Sequence, residues 1–264
     1  MNYDSDTVRI NLSSKILGLD YPKGICIDTI EQVVTNINKS GIVLLPDFIK
    51  YSTLKSVDVK NDLKLSSPKN YIQSLNNLIA PNFTKAKYPS GITFNENIQR
   101  TPLRLTGYLK GYEMLKHKSF YKHYPTLLGV FDDVLRIETR LSKMATIRKY
   151  LKSTNLVDVL NFKNLNYNTL TKIIDNQTKI QSILNTTNMT NPQEKNFAHI
   201  FYLNDIYNGD FESIMRHIKS KLSKNTKATH QRKVVKYNLA LINNSKNQDT
   251  MQNIKEMQEA LLDG

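Results

Sequence analysis

Residues 134–141 read VLRIETRL, and read as a strand they divide cleanly. Side chains alternate between faces along a strand. Leu135, Ile137, Thr139 and Leu141 then share one face, and Arg136, Glu138 and Arg140 share the other. Residues 56–63, SVDVKNDL, divide in the same way, with Val57 and Val59 opposite Asp58, Lys60 and Asp62. Two strands of this kind predict a sheet with one apolar face and one face where acids stand beside bases. If they are neighbours in an antiparallel sheet, Asp58 and Glu138 converge. Carboxylates at such range repel unless a cation sits between them, and the hard ions Mg²⁺ and Mn²⁺ prefer an oxygen shell of this kind.

Residues 105–115, LTGYLKGYEML, supply the other chemistry. Tyr108 and Lys110 have the same strand parity, and a kink at Gly111 would turn Glu113 towards the same pocket. A tyrosine phenolate can attack a phosphodiester and stay joined to the phosphate. A divalent metal offsets the charge that develops in that transition state, and Lys110 would hold a phosphate oxygen or ease ionisation of the phenol. Taken singly, each residue also has an ordinary structural reading: a packed tyrosine, or a cross-strand Glu–Arg pair.

Further extended segments are expected at 7–13 (TVRINLS), 41–46 (GIVLLP), 54–65, 87–95 (KYPSGITFN) and 102–115 (PLRLTGYLKGYEML). Helices are expected at 29–41, where Ile30, Val33, Val34 and Ile37 recur at helical spacing, and at 67–80, which opens with Ser67 and Pro68. This is an α+β pattern: an antiparallel sheet of about five strands with packed helices. After residue 141 the apolar spacing becomes three and four, as in Phe211, Ile214, Met215, Ile218 and Leu222, and again in Met251, Ile254, Met257 and Leu261. The expected division is an α+β domain over 1–152 and a basic α-helical region over 153–264.

The chain has 264 residues, 39% of them apolar, enough to bury a real core. A single cysteine, Cys26, excludes an internal disulfide framework and a cysteine-built zinc site. No apolar run approaches the length of a membrane span, and the first ten residues lack the layout of a secretory signal, so a cytoplasmic location is expected. The net charge of +14 fits a nucleic-acid partner, although a Lys- and Asn-rich proteome would produce the same excess. Its distribution says more. Between Arg216 and Lys246 there are nine Lys or Arg and no Asp or Glu. Arg216, Lys219, Lys221, Lys224, Lys227, Arg232, Lys233 and Lys236 are therefore candidate phosphate contacts.

The succession SVDVKNDL, GITFNENIQRTPLRLTGYLKGYEML, VLRIETRL resembles the replication initiators of the filamentous-phage gene II/X type and the related plasmid rolling-circle initiators. The resemblance covers roughly residues 10–152 and includes SSKILGLDY (13–21) and INKSGIVLLPDFI (37–49). It implies a Rep-like nicking endonuclease that cuts one strand of a replication origin with a tyrosine and stays on the 5′-phosphate. Carried over, it makes Tyr108 the nucleophile, Lys110 and Arg136 the basic catalytic positions, and Asp58, Glu113 and Glu138 the ligands of Mg²⁺ or Mn²⁺. Origin DNA, single- and double-stranded, is the implied partner, in the cytoplasm of a bacterial host and with no membrane role; a host helicase and a second copy of the chain are left open. Two departures stand out. Leu109 replaces the Asp or Asn that follows the tyrosine, and no His-hydrophobe-His pair exists. His117 and His123 read as surface residues, and Tyr112, Tyr121 and Tyr124 are rival nucleophiles. A Rep-like fold without cleavage (a regulator or decoy), another nucleic-acid-binding protein, and a protein-interaction module are the alternatives.

Overall fold

The structure is a computed structural model that describes residues 9–42, 47–78, 83–95, 102–184, 192–221, 231–232, 234–236, 238–239, 242 and 248–263. It is α+β. The strands are β1 (Val57–Lys64), β2 (Lys85–Tyr88), β3 (Gly91–Phe94), β4 (Leu103–Leu109) and β5 (Val134–Leu141), in one antiparallel sheet of order β1-β5-β4-β3-β2. The helices are α1 (Ile30–Lys39), α2 (Phe48–Tyr51), α3 (Pro68–Asn77), α4 (Lys110–Met114), α5 (Lys118–His123), α6 (Met144–Leu151), α7 (Leu156–Leu160), α8 (Leu165–Leu184), α9 (Pro192–Ile206), α10 (Phe211–Lys221) and α11 (Gln248–Asp263).

Three local expectations are corrected. Residues 9–13 are not a strand: Ser13 caps a 3₁₀ segment, Ser14–Lys23, instead. Residues 87–95 are not one strand: they hold the end of β2, the two-residue turn Pro89-Ser90 and β3, a hairpin with Tyr88 paired to Gly91. Proline has no N–H to give a ladder, so it sits at the turn rather than in the run. Residues 102–115 do not stay extended, because the strand ends at Leu109 and α4 begins at Lys110. The strand expected at 41–46 falls largely outside the described residues.

The chain forms two compact units that interleave along the sequence: Met1–Val57, Glu113–Asp132 and Leu141–Lys163 in one, and Asp58–Tyr112, Asp133–Arg140 and Asn164–Gly264 in the other. In the first unit, Leu17, Ile30, Val33 and Ile37 form a small core beneath Ile49, Leu156 and Leu160. Tyr21 there meets Phe120 and Phe131 edge-on.

The second unit holds the sheet and its main core. Leu63, Ile92, Phe94, Leu105, Leu109, Leu135 and Ile137 project from one face. They meet Tyr71, Ile72 and Leu75 of α3, Leu170, Ile173 and Ile174 of α8, and Ile254, Met257 and Leu261 of α11. The C-terminal helix thus lies on the sheet domain, where each fully buried aliphatic side chain contributes roughly 1.5–3 kcal/mol. Polar bonds fix its seating: Tyr71 donates to Glu256 (2.6 Å), and Asn253 donates to Ser74 (3.0 Å). A second helical cluster, with Ile200, Leu203, Ile214, Met215, Ile218, Val235 and Leu239, has its own core.

One glycine is required by close approach. Gly91 pairs with Tyr108, and a Cβ on it would lie 2.7 Å from the Gly107 carbonyl oxygen and 2.8 Å from Tyr108 Cβ. Backbone cannot move aside cheaply, so Gly91→Ala is expected to cost about 2 kcal/mol, as overpacking does, read as a lower denaturant midpoint.

Candidate active site

Because Leu105, Leu109, Leu135 and Ile137 are claimed by the helices, the alternate residues face away from that core. The second face of the sheet carries Asp58, Lys60 and Asp62 on β1, Arg104, Thr106 and Tyr108 on β4, and Arg136, Glu138 and Arg140 on β5. Two ion pairs fix how β1 and β5 align: Arg136 with Asp62, and Arg140 Nε with Asp58 Oδ1 at 3.5 Å. The Leu65 N–H donating to the Asp133 carbonyl follows the same antiparallel register, which places Lys60 across from Glu138. Asn166 of α8 clamps the two strands, its Nδ2 reaching the Val59 and Ile137 carbonyls (both 3.1 Å) and Asn61 Oδ1 (2.7 Å).

Tyr108 lies on the charged face, but Lys110, expected to share its strand parity, is the first residue of α4. Its hydroxyl donates to Glu138 Oε2 at 3.3 Å, and Lys110 Nζ lies 6.0 Å from its ring centroid. Burial pushes the Glu138 carboxyl above the usual range, and the charge of Asp58 adds to it; Arg136, the Tyr108 hydrogen bond and Arg104 pull the other way. The rise makes Glu138 a stronger base than an exposed carboxylate, and it records the Asp58–Glu138 repulsion that β1 and β5 impose. Lys110 is buried, at 2% exposure.

Arg136 plays a different part from the one expected of it. Its Nε and Nη2 donate to the two oxygens of Asp62 (2.5 and 2.6 Å), and its side chain is only 5% exposed. The guanidinium fork is filled by a carboxylate, so Arg136 braces β1 against β5. Burial alone would push the Asp62 carboxyl up, but Arg136, Lys60 and Lys110 outweigh it and hold the group below the usual range. Lys60 falls to about 8, chiefly through burial and then through the charge of Arg136. Asp62 was visible in the sequence as a third acid on the same strand face, but nothing there marked its arginine partner.

Glu113 belongs to the other unit, where it pairs with His117 one helical turn on (2.5 Å). Asp58 and Glu138 therefore share the sheet face, and Glu113 is engaged elsewhere. Among the described residues, no group of three or more His, Cys, Asp or Glu is placed to hold a metal ion. Of the three expected ligands, Asp58 and Glu138 remain on this face, where Asp58 pairs with Arg140 and Glu138 accepts from Tyr108.

The rival tyrosines are placed differently. Tyr112 is 54% exposed with Lys69 beside its ring. Burial, together with Tyr21, Asp132 and Glu113, pushes the Tyr121 phenol up, and the Tyr124 ring meets Phe120 at a tilt of 48°. Tyr71 has a shorter carboxylate bond, but it is a core side chain, 7% exposed, on the helix-covered face.

The basic segment is partly described. Arg216, Lys219, Lys221 and Lys236 are exposed. Arg232 is also exposed but bonds to Glu212 (2.5 Å) and covers the Phe211 ring, so an acid just outside the basic run engages it. Lys224, Lys227 and Lys233 lie outside the described residues. No family model, curated protein or solved structure matches the chain.

Glu138→Gln tests what the buried carboxylate costs the fold. A group whose folded pKa is raised supplies stability below its unfolded pKa and loses it as pH rises through the folded value. At pH 7 the ionised Glu138 is therefore a burden, and the glutamine variant is expected to unfold at higher denaturant than the parent, with the gain vanishing below about pH 4.

Proposed function

We propose that the protein is a metal-dependent DNA-nicking replication initiator of the rolling-circle type. The observation that carries this reading is the Tyr108–Glu138 hydrogen bond on the charged sheet face, with Asp58 raising the basicity of the acceptor. Glu138 takes the phenol proton, the phenolate oxygen attacks the phosphorus, and the bond to the 3′-oxygen breaks. That oxygen leaves and is protonated by solvent, and the 5′-phosphate stays on Tyr108. Asp58 and Glu138 would hold Mg²⁺ or Mn²⁺, which when bound supplies electrostatic stabilisation of charge on the phosphate oxygens. Lys110, its Nζ 6.0 Å from the Tyr108 ring centroid, would hold a phosphate oxygen. The exposed Arg216, Lys219, Lys221 and Lys236 would grip origin DNA through its phosphates.

The protein acts in the cytoplasm of a bacterial host in this reading, with a helicase as a further partner. Among the described residues no helix is long and apolar enough to cross a membrane. The test is incubation with supercoiled plasmid or an oligonucleotide library and Mn²⁺, followed by a search for covalent protein–DNA adducts. The second reading, a nucleic-acid-binding protein without cleavage, is favoured by the exposed basic side chains on α10, which need no tyrosine to bind phosphate. It predicts salt-sensitive binding and no adduct with or without metal.

A further inference from the structure

A cavity of about 380 Å³ lies between one side of α3, the β2–β3 hairpin and Leu109, the last residue of β4. All of it belongs to the second unit. On α3, Lys69, Gln73, Asn76 and Asn77 recur at the three- and four-residue steps that set side chains on one side of a helix. Ile72 and Leu109, both buried, supply its apolar lining. Tyr108 and Leu109 are consecutive on β4 and so face opposite sides of the sheet. The cavity is therefore on the helix-covered side, separate from the charged face that carries the Tyr108–Glu138 pair.

Its charge has one sign. None of the described residues that line it is acidic, and two are lysines, Lys69 and Lys87. Both are exposed, so a ligand can reach them. The neighbouring Lys85 is already engaged: its Nζ donates to the Asn76 and Leu78 carbonyls at the end of α3 (2.6 and 2.7 Å). Lys85 falls to about 8, through burial first and then through the charge of Lys87. An acid beside Lys87 would have offset that charge. Lys69 stands in the first turn of α3, which holds no acid and where the helix dipole favours an anion.

The lining asks for more than a simple anion. The volume is within the range of roughly 300–1,000 Å³ typical of small-molecule sites. A side-chain amide presents a donor and an acceptor together, the pattern that matches the edge of a nucleobase, and Gln73 offers one from an exposed position. Ile72 and Leu109 give a planar ring an apolar surface. The Tyr112 ring, 54% exposed and with its centroid 6.0 Å from Lys69 Nζ, adds an aromatic face of the kind on which bases stack.

We propose that this cavity takes one nucleotide of a single-stranded nucleic acid, with its phosphate on Lys69 and Lys87 and its base edge against Gln73. The inference rests on the nucleic-acid part of the proposed function for its ligand class, and not on cleavage.

The whole protein, in EDTA so that no strand is cut, is titrated with short oligodeoxyadenylate, oligodeoxycytidylate and oligothymidylate. The side-chain amide signal of Gln73 is followed by ¹⁵N NMR and is expected to move and saturate. Lys69→Gln and Lys87→Gln, both at exposed positions, are each expected to raise the Kd about tenfold, in line with loss of a charge-assisted bond. Each should also reduce the slope of log K against log salt by about 0.7, the value per phosphate for a single strand. Gln73→Ala is expected to keep that slope and to narrow the differences in Kd among the three oligonucleotides, because the amide reads the base and carries no charge. A Gln73 signal that stays in place at saturating oligonucleotide overturns the proposal, as do lysine variants with the parental Kd or a Gln73→Ala variant with the parental differences. Inorganic phosphate that shifts the Gln73 signal as far as the oligonucleotides do would mark a small-anion pocket, and a free deoxynucleoside monophosphate that binds as tightly as they do would mark a small-molecule site; either result overturns the assignment to a single strand. A moving Gln73 signal with no adduct under Mn²⁺ would sink the nicking reading and leave the nucleotide site standing; adducts with an unmoved signal would do the reverse.

Discussion

If the nicking proposal is right, Tyr108→Phe is expected to reduce covalent protein–DNA adduct by about a thousandfold or more, to the limit of detection, because removing the proposed nucleophile leaves only binding and electrostatics. Phenylalanine fills nearly the same volume on a half-buried strand position, and the lost hydroxyl makes one 3.3 Å bond to Glu138. Fold and origin affinity should therefore survive, and that separates a chemical role from a structural one. The measurement is denaturing electrophoresis of end-labelled oligonucleotides after incubation with Mn²⁺, beside a binding isotherm on the same DNA. An adduct that persists in Tyr108→Phe moves the nucleophile to another tyrosine, with Tyr112 the first to substitute because it is the most exposed of the rivals. No adduct from the parent on any DNA ends the nicking proposal.

Asp62→Ala is expected to cost about 3–5 kcal/mol of stability, the usual price of stranding a buried charge. The residue left behind is Arg136, with a 5% exposed side chain and two hydrogen bonds lost at once. Replacing both partners together, Arg136→Met with Asp62→Leu, should be far milder, because no charge is then left unpaired in low dielectric. Denaturant unfolding at pH 7 distinguishes the two variants, and equal losses would show that the pair does not brace the strands. The pH dependence has a definite sign. Asp62 has a lowered pKa in the fold, so its contribution is complete above the ordinary carboxylate value of about 3.9 and disappears as pH falls through the lower folded value. The gap between parent and Asp62→Ala should therefore close in acid.

Much of the sheet was legible from residue order. The alternation in VLRIETRL and SVDVKNDL assigned each side chain its face, because a strand has only two faces and the helices take the apolar one. The hairpin at 85–94 and the turn into α4 were harder to read. Both depend on where pairing stops: at Pro89-Ser90 in one case, and after Leu109 in the other, where the chain leaves the ladder for a helix.

Periodicity of two told which residues of a strand lie on the same side as Tyr108, and periodicity of three and four told which later segments coil. Neither carries information about partners across the chain, since a period is local and an ion pair is not. That Arg136 is spent on Asp62, that Arg140 meets Asp58, and that Glu113 sits in the other unit with His117 follow from which elements the fold sets side by side. The strand order β1-β5-β4 is set by packing over the helix-covered face, and the charged face inherits its neighbours from it.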